Sequence, residues 1–247
     1  MTKPLVLARV AAILYWLAPG FAEAAARASC PVAGTQPISI VKSSPGGFVA
    51  EGGTEIRVSG LLSSDIGEAA LAVMRNAGLL SYAGTGASDR YGRIPAQLFA
   101  GGKWVQGEAL RLGLARVHIE PRDTPCALSL FAAEEEGRKN RAGHWGDGSF
   151  AVLSADGLQR RGGTFQIVEA KVESAAIIRG RAFINFGPDY RTDFTVTIAP
   201  SDMGAFRRTK FDIRALAGKR VRVRGWLDFY NGPEMDVALP ETIEVLE

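Results

Sequence analysis

The chain has few of the residues that usually build metal centres, with only two cysteines and two histidines among its 247 residues. Cys30, Cys126, His118 and His144 stand at spacings that make no zinc pattern, which needs close Cys or His pairs. Neither cysteine reads as a catalytic nucleophile. Charge of one sign is also scarce: 29 Lys and Arg meet 26 Asp and Glu, and the net +3 does not by itself announce a nucleic-acid binder. No apolar run reaches the roughly 20 residues of a membrane-spanning helix. There is no repeat of solenoid period and no low-complexity stretch. Apolar residues are plentiful at 47%, enough for a buried core in one or two domains.

The N-terminus has the pattern of a cleavable export signal. Lys3 and Arg9 precede a short apolar stretch from Val10 to Ala18, and small residues follow at Ala22-Glu23-Ala24 and Ala26-Arg27-Ala28. Residues 1–28 are therefore expected to be a signal peptide, leaving no stable membrane anchor and a periplasmic or secreted protein. Arg27-Ala28-Ser29-Cys30 lacks the Leu-type residue that a lipoprotein signal carries three places before its Cys. In an oxidising compartment the even pair Cys30 and Cys126 favours one disulfide, against the alternative of two free thiols.

Periodicity divides the rest into a first block at 36–146, a Gly-rich linker at 147–163 and a second block at 164–247. The first block reads as strands at Glu55–Leu62, Arg93–Phe99, Lys103–Val105 and Leu114–Ile119. Helices are predicted at Ile66–Leu80, Gln106–Leu112 and Ala127–Arg141. Gly113 falls where a left-handed C-cap belongs. On the last helix Leu128, Phe131, Ala132 and Glu135 are taken as one face. The second block reads as strands at Thr164–Lys171, Ile177–Asn185, Asp193–Ile198, Arg220–Leu227 and Glu234–Ala238, with Asn231-Gly232 as a hairpin signal. The expected fold is mainly β with a few helices, two small barrels in tandem.

An ordered set of motifs runs through the first block: Asp89-Arg90-Tyr91-Gly92-Arg93, Gly102-Lys103, Gly107-Glu108-Ala109-Leu110, then Gly113-Leu114-Ala115-Arg116-Val117, and a charged helix followed by Trp145. In this order it resembles the staphylococcal nuclease (thermonuclease) family. The resemblance implies an OB-type barrel and calcium-assisted phosphodiester cleavage, with carboxylates on the metal and two arginines on the phosphate. It places those arginines at Arg57 and Arg93, and the general base at Asp65, where the family has Glu. The metal carboxylates should fall at Leu62 and near Gly46, and neither is an acid. Calcium takes six to eight oxygens, so no cofactor is expected and catalysis is read as vestigial. Glu68 or Glu51 would have to shift to compensate. Arg57 and Arg93 serve either phosphate contact or a purely structural role.

In the second block, Gly180-Arg181-Ala182-Phe183-Ile184-Asn185-Phe186-Gly187 and Leu216-Ala217-Gly218-Lys219-Arg220-Val221-Arg222-Val223-Arg224-Gly225 resemble an OB-fold nucleic-acid-binding-like domain. Arg220, Arg222 and Arg224 share one strand face by the period of two, and Phe183, Phe186, Tyr190 and Phe229 offer stacking surface. The stripe is either a nucleic-acid groove or the solvated side of an amphipathic strand. Three functions follow as expectations: a binder of single-stranded nucleic acid or another polyanion, a metal-dependent phosphodiesterase with ligands rearranged around Asp65 and Glu68, or an envelope interaction scaffold.

Overall fold

The computed structural model describes residue 30 and residues 34–75, 78–158 and 161–246, without the side chains of Glu68 and Arg122. The expected signal segment, 1–28, lies outside the described residues. The first part of the chain forms strands β1 (Gln36–Pro37), β2 (Ile40–Ser44), β3 (Gly47–Ala50) and β4 (Glu55–Val58), then helix α1 (Ile66–Met74). Strands β5 (Leu80–Gly84), β6 (Ile94–Ala100) and β7 (Lys103–Trp104) follow, with helices α2 (Val105–Arg111), α3 (Ala127–Lys139) and α4 (His144–Asp147). The sheet order is β1-β5-β6-β4-β3-β2, with β7 on β6. Among the described strands of this sheet only β4 and β6 run parallel, in the register Ile56 to Ile94 and Arg57 to Pro95. This brings the starts of two distant segments side by side.

The second part forms β8 (Val152–Leu153), β9 (Thr164–Lys171), β10 (Ser174–Ile178), β11 (Arg181–Asn185), β12 (Thr195–Ile198), helix α5 (Met203–Arg208), β13 (Arg220–Tyr230), β14 (Gly232–Asp236) and β15 (Ile243–Val245). Its order is β10-β11-β12-β14-β13-β9-β8, with β15 on β13. The long β13 pairs with β15 through Val221–Val223 and with β14 through Leu227–Tyr230. The protein is thus mainly β, with two sheets and short helices, as its alternating apolar pattern led one to expect.

Four details differ from the sequence reading. Leu114–Ile119 is no ladder strand: it makes one bridge, Leu61 to Val117, and the Val117 N–H instead donates to Glu134 Oε1 at 2.7 Å. The run 177–185 is split into β10 and β11 by Arg179 and Gly180, at φ of 50° and 83°, the positive pair that a tight primed hairpin turn demands. The buried face of α3 is Ala127, Leu130, Ala133, Glu134 and Gly137, one step from the expected face, and Leu128 is 86% exposed. Residues 147–163, read as a linker, carry β8, and Leu158 is fully buried in the second core.

Gly113 sits as expected at the end of α2, with φ of 66°. A Cβ there would come within 2.0 Å of the Ala142 carbonyl, so the site also needs a bare backbone. Cys30 and Cys126, both buried in the first core, form a disulfide at the start of α3.

Each sheet folds over its own apolar core, and a third, smaller cluster joins them. It contains Leu62 and Trp145 from the first part and Phe165 and Ile167 of β9, with Phe150 and Val152 against it. Burying side chains of this size contributes about 1.5–3 kcal/mol each. Among the described residues no helix is long and apolar enough to cross a membrane.

Candidate functional site

The parallel pairing of β4 and β6 decides where the two expected phosphate arginines lie. Arg57 lies opposite Pro95. Arg93 ends the loop just before β6, and its partner Asp89 is among the acids whose charge bears on Arg57. Both carry a carboxylate partner. Arg57 makes a two-point pair with Glu120, Nη1 donating to Oε2 at 2.6 Å and Nη2 to Oε1. That bond raises the guanidinium pKa above its usual value although burial opposes it. Asp89 turns back on its own loop, accepting Arg93 Nε at 2.8 Å and the Tyr91 and Arg93 amides at 2.9 and 3.1 Å. This turn leaves Tyr91 65% exposed, with Arg90 and Arg93 guanidinium carbons 4.7 and 5.1 Å from its ring centre.

Asp65 belongs to a different neighbourhood. Its Oδ2 accepts the Arg116 backbone N–H and Nε, both at 3.0 Å, and its Oδ1 accepts Nη2 at 3.2 Å. The Arg116 guanidinium in turn lies 4.5 Å from the Phe150 ring centre and 5.7 Å from that of Phe165. The acids whose charge bears on Arg57 are Glu120, Asp123 and Asp89. Each of the three expected catalytic residues thus has its own ionic partner: Arg57 has Glu120, Arg93 has Asp89, and Asp65 has Arg116 at the joint between the two parts.

The donor set does not fit a calcium ion. Gly46 does approach the right region, since a Cβ on it would lie 3.2 Å from Ser63 Cβ, but it supplies no oxygen. Leu62 is an apolar member of the joining cluster and is almost fully buried. Glu51 lies in another groove, beside Pro37, Leu80 and Tyr82. The side chain of Glu68 lies outside the described residues. Among the described residues no three His, Cys, Asp or Glu side chains are grouped for a metal.

The arginine stripe of β13 corrects the expected open face. Arg224 is 2% exposed, with Nη1 2.7 Å from Glu134 on α3 and Nη2 2.5 Å from Glu244 on β15. Burial works to lower its pKa, yet the two carboxylates outweigh it and hold the guanidinium above its usual value. Arg222 reaches Glu169 at 2.9 Å and Glu135 at 3.5 Å, and Arg220 pairs with Glu169. The physical reason is that α3 lies against the inner two: Arg222 meets its Glu135 and Arg224 its Glu134, while Arg220, half exposed, is held by Glu169 of β9. For Arg224 neither an open groove nor a solvated side describes the position.

The sequence reading missed Glu120, Asp123, Glu134 and His118. Asp123 is buried, which pushes its carboxyl pKa up, and its Oδ2 accepts the Glu120 amide at 3.1 Å. His118 faces Phe165 edge-on, with ring centres 5.5 Å apart. The capping spacing of Glu120 and Asp123 around the Pro121 turn was available as a signal; the ion pairs were not.

No curated protein matches the chain. Residues 67–147, the stretch that holds Arg93 and Arg116 but neither Arg57 nor Asp65, match the family model of the staphylococcal nuclease homologue, and this part of the chain is similar to that family.

Proposed function

We propose that the protein is an exported, nuclease-like module that binds single-stranded nucleic acid or a similar polyanion without cutting it. In this reading a thermonuclease-like domain at 36–146 is followed by an OB-type domain at 164–247. The observation that carries the binding is the turn Asp89–Arg93, where exposed Tyr91 has the Arg90 and Arg93 guanidinium carbons 4.7 and 5.1 Å from its ring centre and the charge of Asp89 reaches Arg57. Such a tip stacks on a base, while its guanidinium groups neutralise the flanking phosphates. Loss of cutting is supported by the apolar packing of Leu62, by the lack of a side-chain oxygen at Gly46 and by the capture of Asp65. Export is supported by the N-terminal pattern and by the Cys30–Cys126 disulfide, which persists in oxidising compartments.

The test is the fluorescence anisotropy of a labelled single-stranded oligonucleotide, titrated with the full chain at several salt concentrations. Binding should weaken steeply as salt rises, and Tyr91→Ala and Arg93→Ala should each weaken it about tenfold. No binding at low salt sinks the proposal. Calcium-dependent cleavage that Arg93→Ala abolishes would favour the phosphodiesterase instead.

A further inference from the structure

We propose that the outer face of the second sheet carries a binding site for an organic cation, a guanidinium or alkylammonium group. The site is a cavity of about 180 Å³ lined by Phe183, Tyr190, Tyr230, Thr197 and Glu234, among others. Strand register explains how these residues meet. Phe183 pairs with Thr197, which pairs with Asp236; Asn185 pairs with Thr195, which pairs with Glu234. Directly paired residues share a face, and the alternating residues Ala182, Ile184, Val196, Ile198 and Met235 form the core on the other side. The aromatic and acidic row therefore faces outward.

Two features give the cavity its sign. First, Thr197 Oγ on the cavity wall lies 3.1 Å from Glu234 Oε1, which also lines it, and 3.2 Å from Asp236 Oδ1 just beyond the lining. One hydroxyl hydrogen serves only one of these carboxylates at a time, and among the described residues neither acid has an Arg, Lys or His partner. Second, the cavity ends in aromatic rings: Tyr230 is 77% exposed and Tyr190 63% exposed. Asn231, with φ of 68°, closes the β13–β14 hairpin that holds Tyr230 at the rim. Ring faces beside paired carboxylates attract an organic cation, by the ring quadrupole and by charge-assisted hydrogen bonds. Tyr190 already has the Arg191 guanidinium 5.1 Å from its ring centre, and Arg191 does not line the cavity. An anionic strand is repelled from the same face, so this site is separate from the Asp89–Arg93 turn.

The test is an NMR titration of the full chain with arginamide, beside citrullinamide as its uncharged isostere, both acetylated on the α-nitrogen so that the guanidinium is the single charge that differs. Arginamide should shift the amide signals of Asn185 and 230–234 and bind about tenfold more tightly than citrullinamide. Glu234→Gln and Tyr230→Ala should each weaken it about fivefold, with Tm unchanged for Glu234→Gln. The tripeptide acetyl-Gly-Arg-Gly-amide separates the sources. Tighter binding than arginamide means the cation arrives on a polypeptide, equal binding that it arrives free, and either supports the site. Equal affinity for citrullinamide, shifts elsewhere, or affinity unchanged in both variants overturns the proposal.

Discussion

Asp65 and Arg116 are joined at three points, with the Arg116 amide and Nε on Oδ2 at 3.0 Å and Nη2 on Oδ1 at 3.2 Å. The carboxylate that the motif order assigns to water activation thus fixes an arginine, and that arginine sits under two aromatic rings at the joint between the sheets. A general base must reach the proton that it removes. Here both oxygens are engaged by a permanent cation.

Asp65→Asn should therefore lower stability rather than activity. The pair is only partly shielded from water, so the loss should be about 1–3 kcal/mol, read from urea unfolding. Asp65→Glu should restore no calcium-dependent cleavage, because Gly46 and Leu62 still supply no ligand. Restored cleavage would show that the carboxylate remains catalytic.

The Arg224–Glu134 pair ties the two sheets across the joint. Glu134 Oε1 accepts the Val117 amide at 2.7 Å while Oε2 accepts Arg224 Nη1 at 2.7 Å. Arg224→Ala leaves a buried carboxylate without its cation and should cost about 3–5 kcal/mol. Arg224→Met combined with Glu134→Gln should recover part of that loss, since no bare charge is left. Unfolding followed by two probes, one in each part, should change from one transition to two in Arg224→Ala.

Much of the fold was legible because alternation and helical spacing state which residues share a face. Thr164–Lys171 is β9 to the residue, and the Arg93 segment, α2 and Gly113 lie where motif order puts them. Periodicity says nothing about what covers a face. Arg222 and Arg224 look alike in sequence, and their partners Glu135 and Glu134 lie about ninety residues away. The same blindness applies to Leu62: its identity showed a missing ligand, while its packing against β9 needed the structure. Tyr91 was visible as a motif letter, but its exposure beside two arginines was not.

His118 gives the protein an acid limit. Burial holds its imidazole below the usual value; Glu120 opposes this, while Arg57 and Arg224 reinforce it. The folded state thus takes up the proton less readily than the unfolded chain. Its contribution is fully present above the unfolded pKa of about 6.5 and is lost as pH falls through that value towards the lower folded one. Tm should drop between about pH 7.5 and 5.5, and His118→Asn should flatten that drop.

The disulfide closes a loop of 96 residues between Cys30 and Cys126. The chain-entropy model gives about 4–5 kcal/mol for a loop of this length. The double variant Cys30→Ser, Cys126→Ser should therefore lose about 2–5 kcal/mol by urea unfolding. Wild type in a strong reductant should behave alike.

Leu62 offers the sharpest distinction between a dormant metal site and a docking surface. It stands at a metal-carboxylate position of the motif order, yet it packs with Trp145, Phe165 and Ile167. If the position were a metal site lacking one ligand, Leu62→Asp would gain calcium affinity, and Tm would rise with calcium by mass action. If it is a joint, the variant buries an unpaired carboxylate among apolar side chains, at a cost of several kcal/mol unless the carboxyl takes a proton. The packing supports the second outcome: Leu62→Asp should lower Tm, calcium should not restore it, and limited proteolysis should begin to cut near 147–163. Rescue by calcium would reverse this reading of the joint.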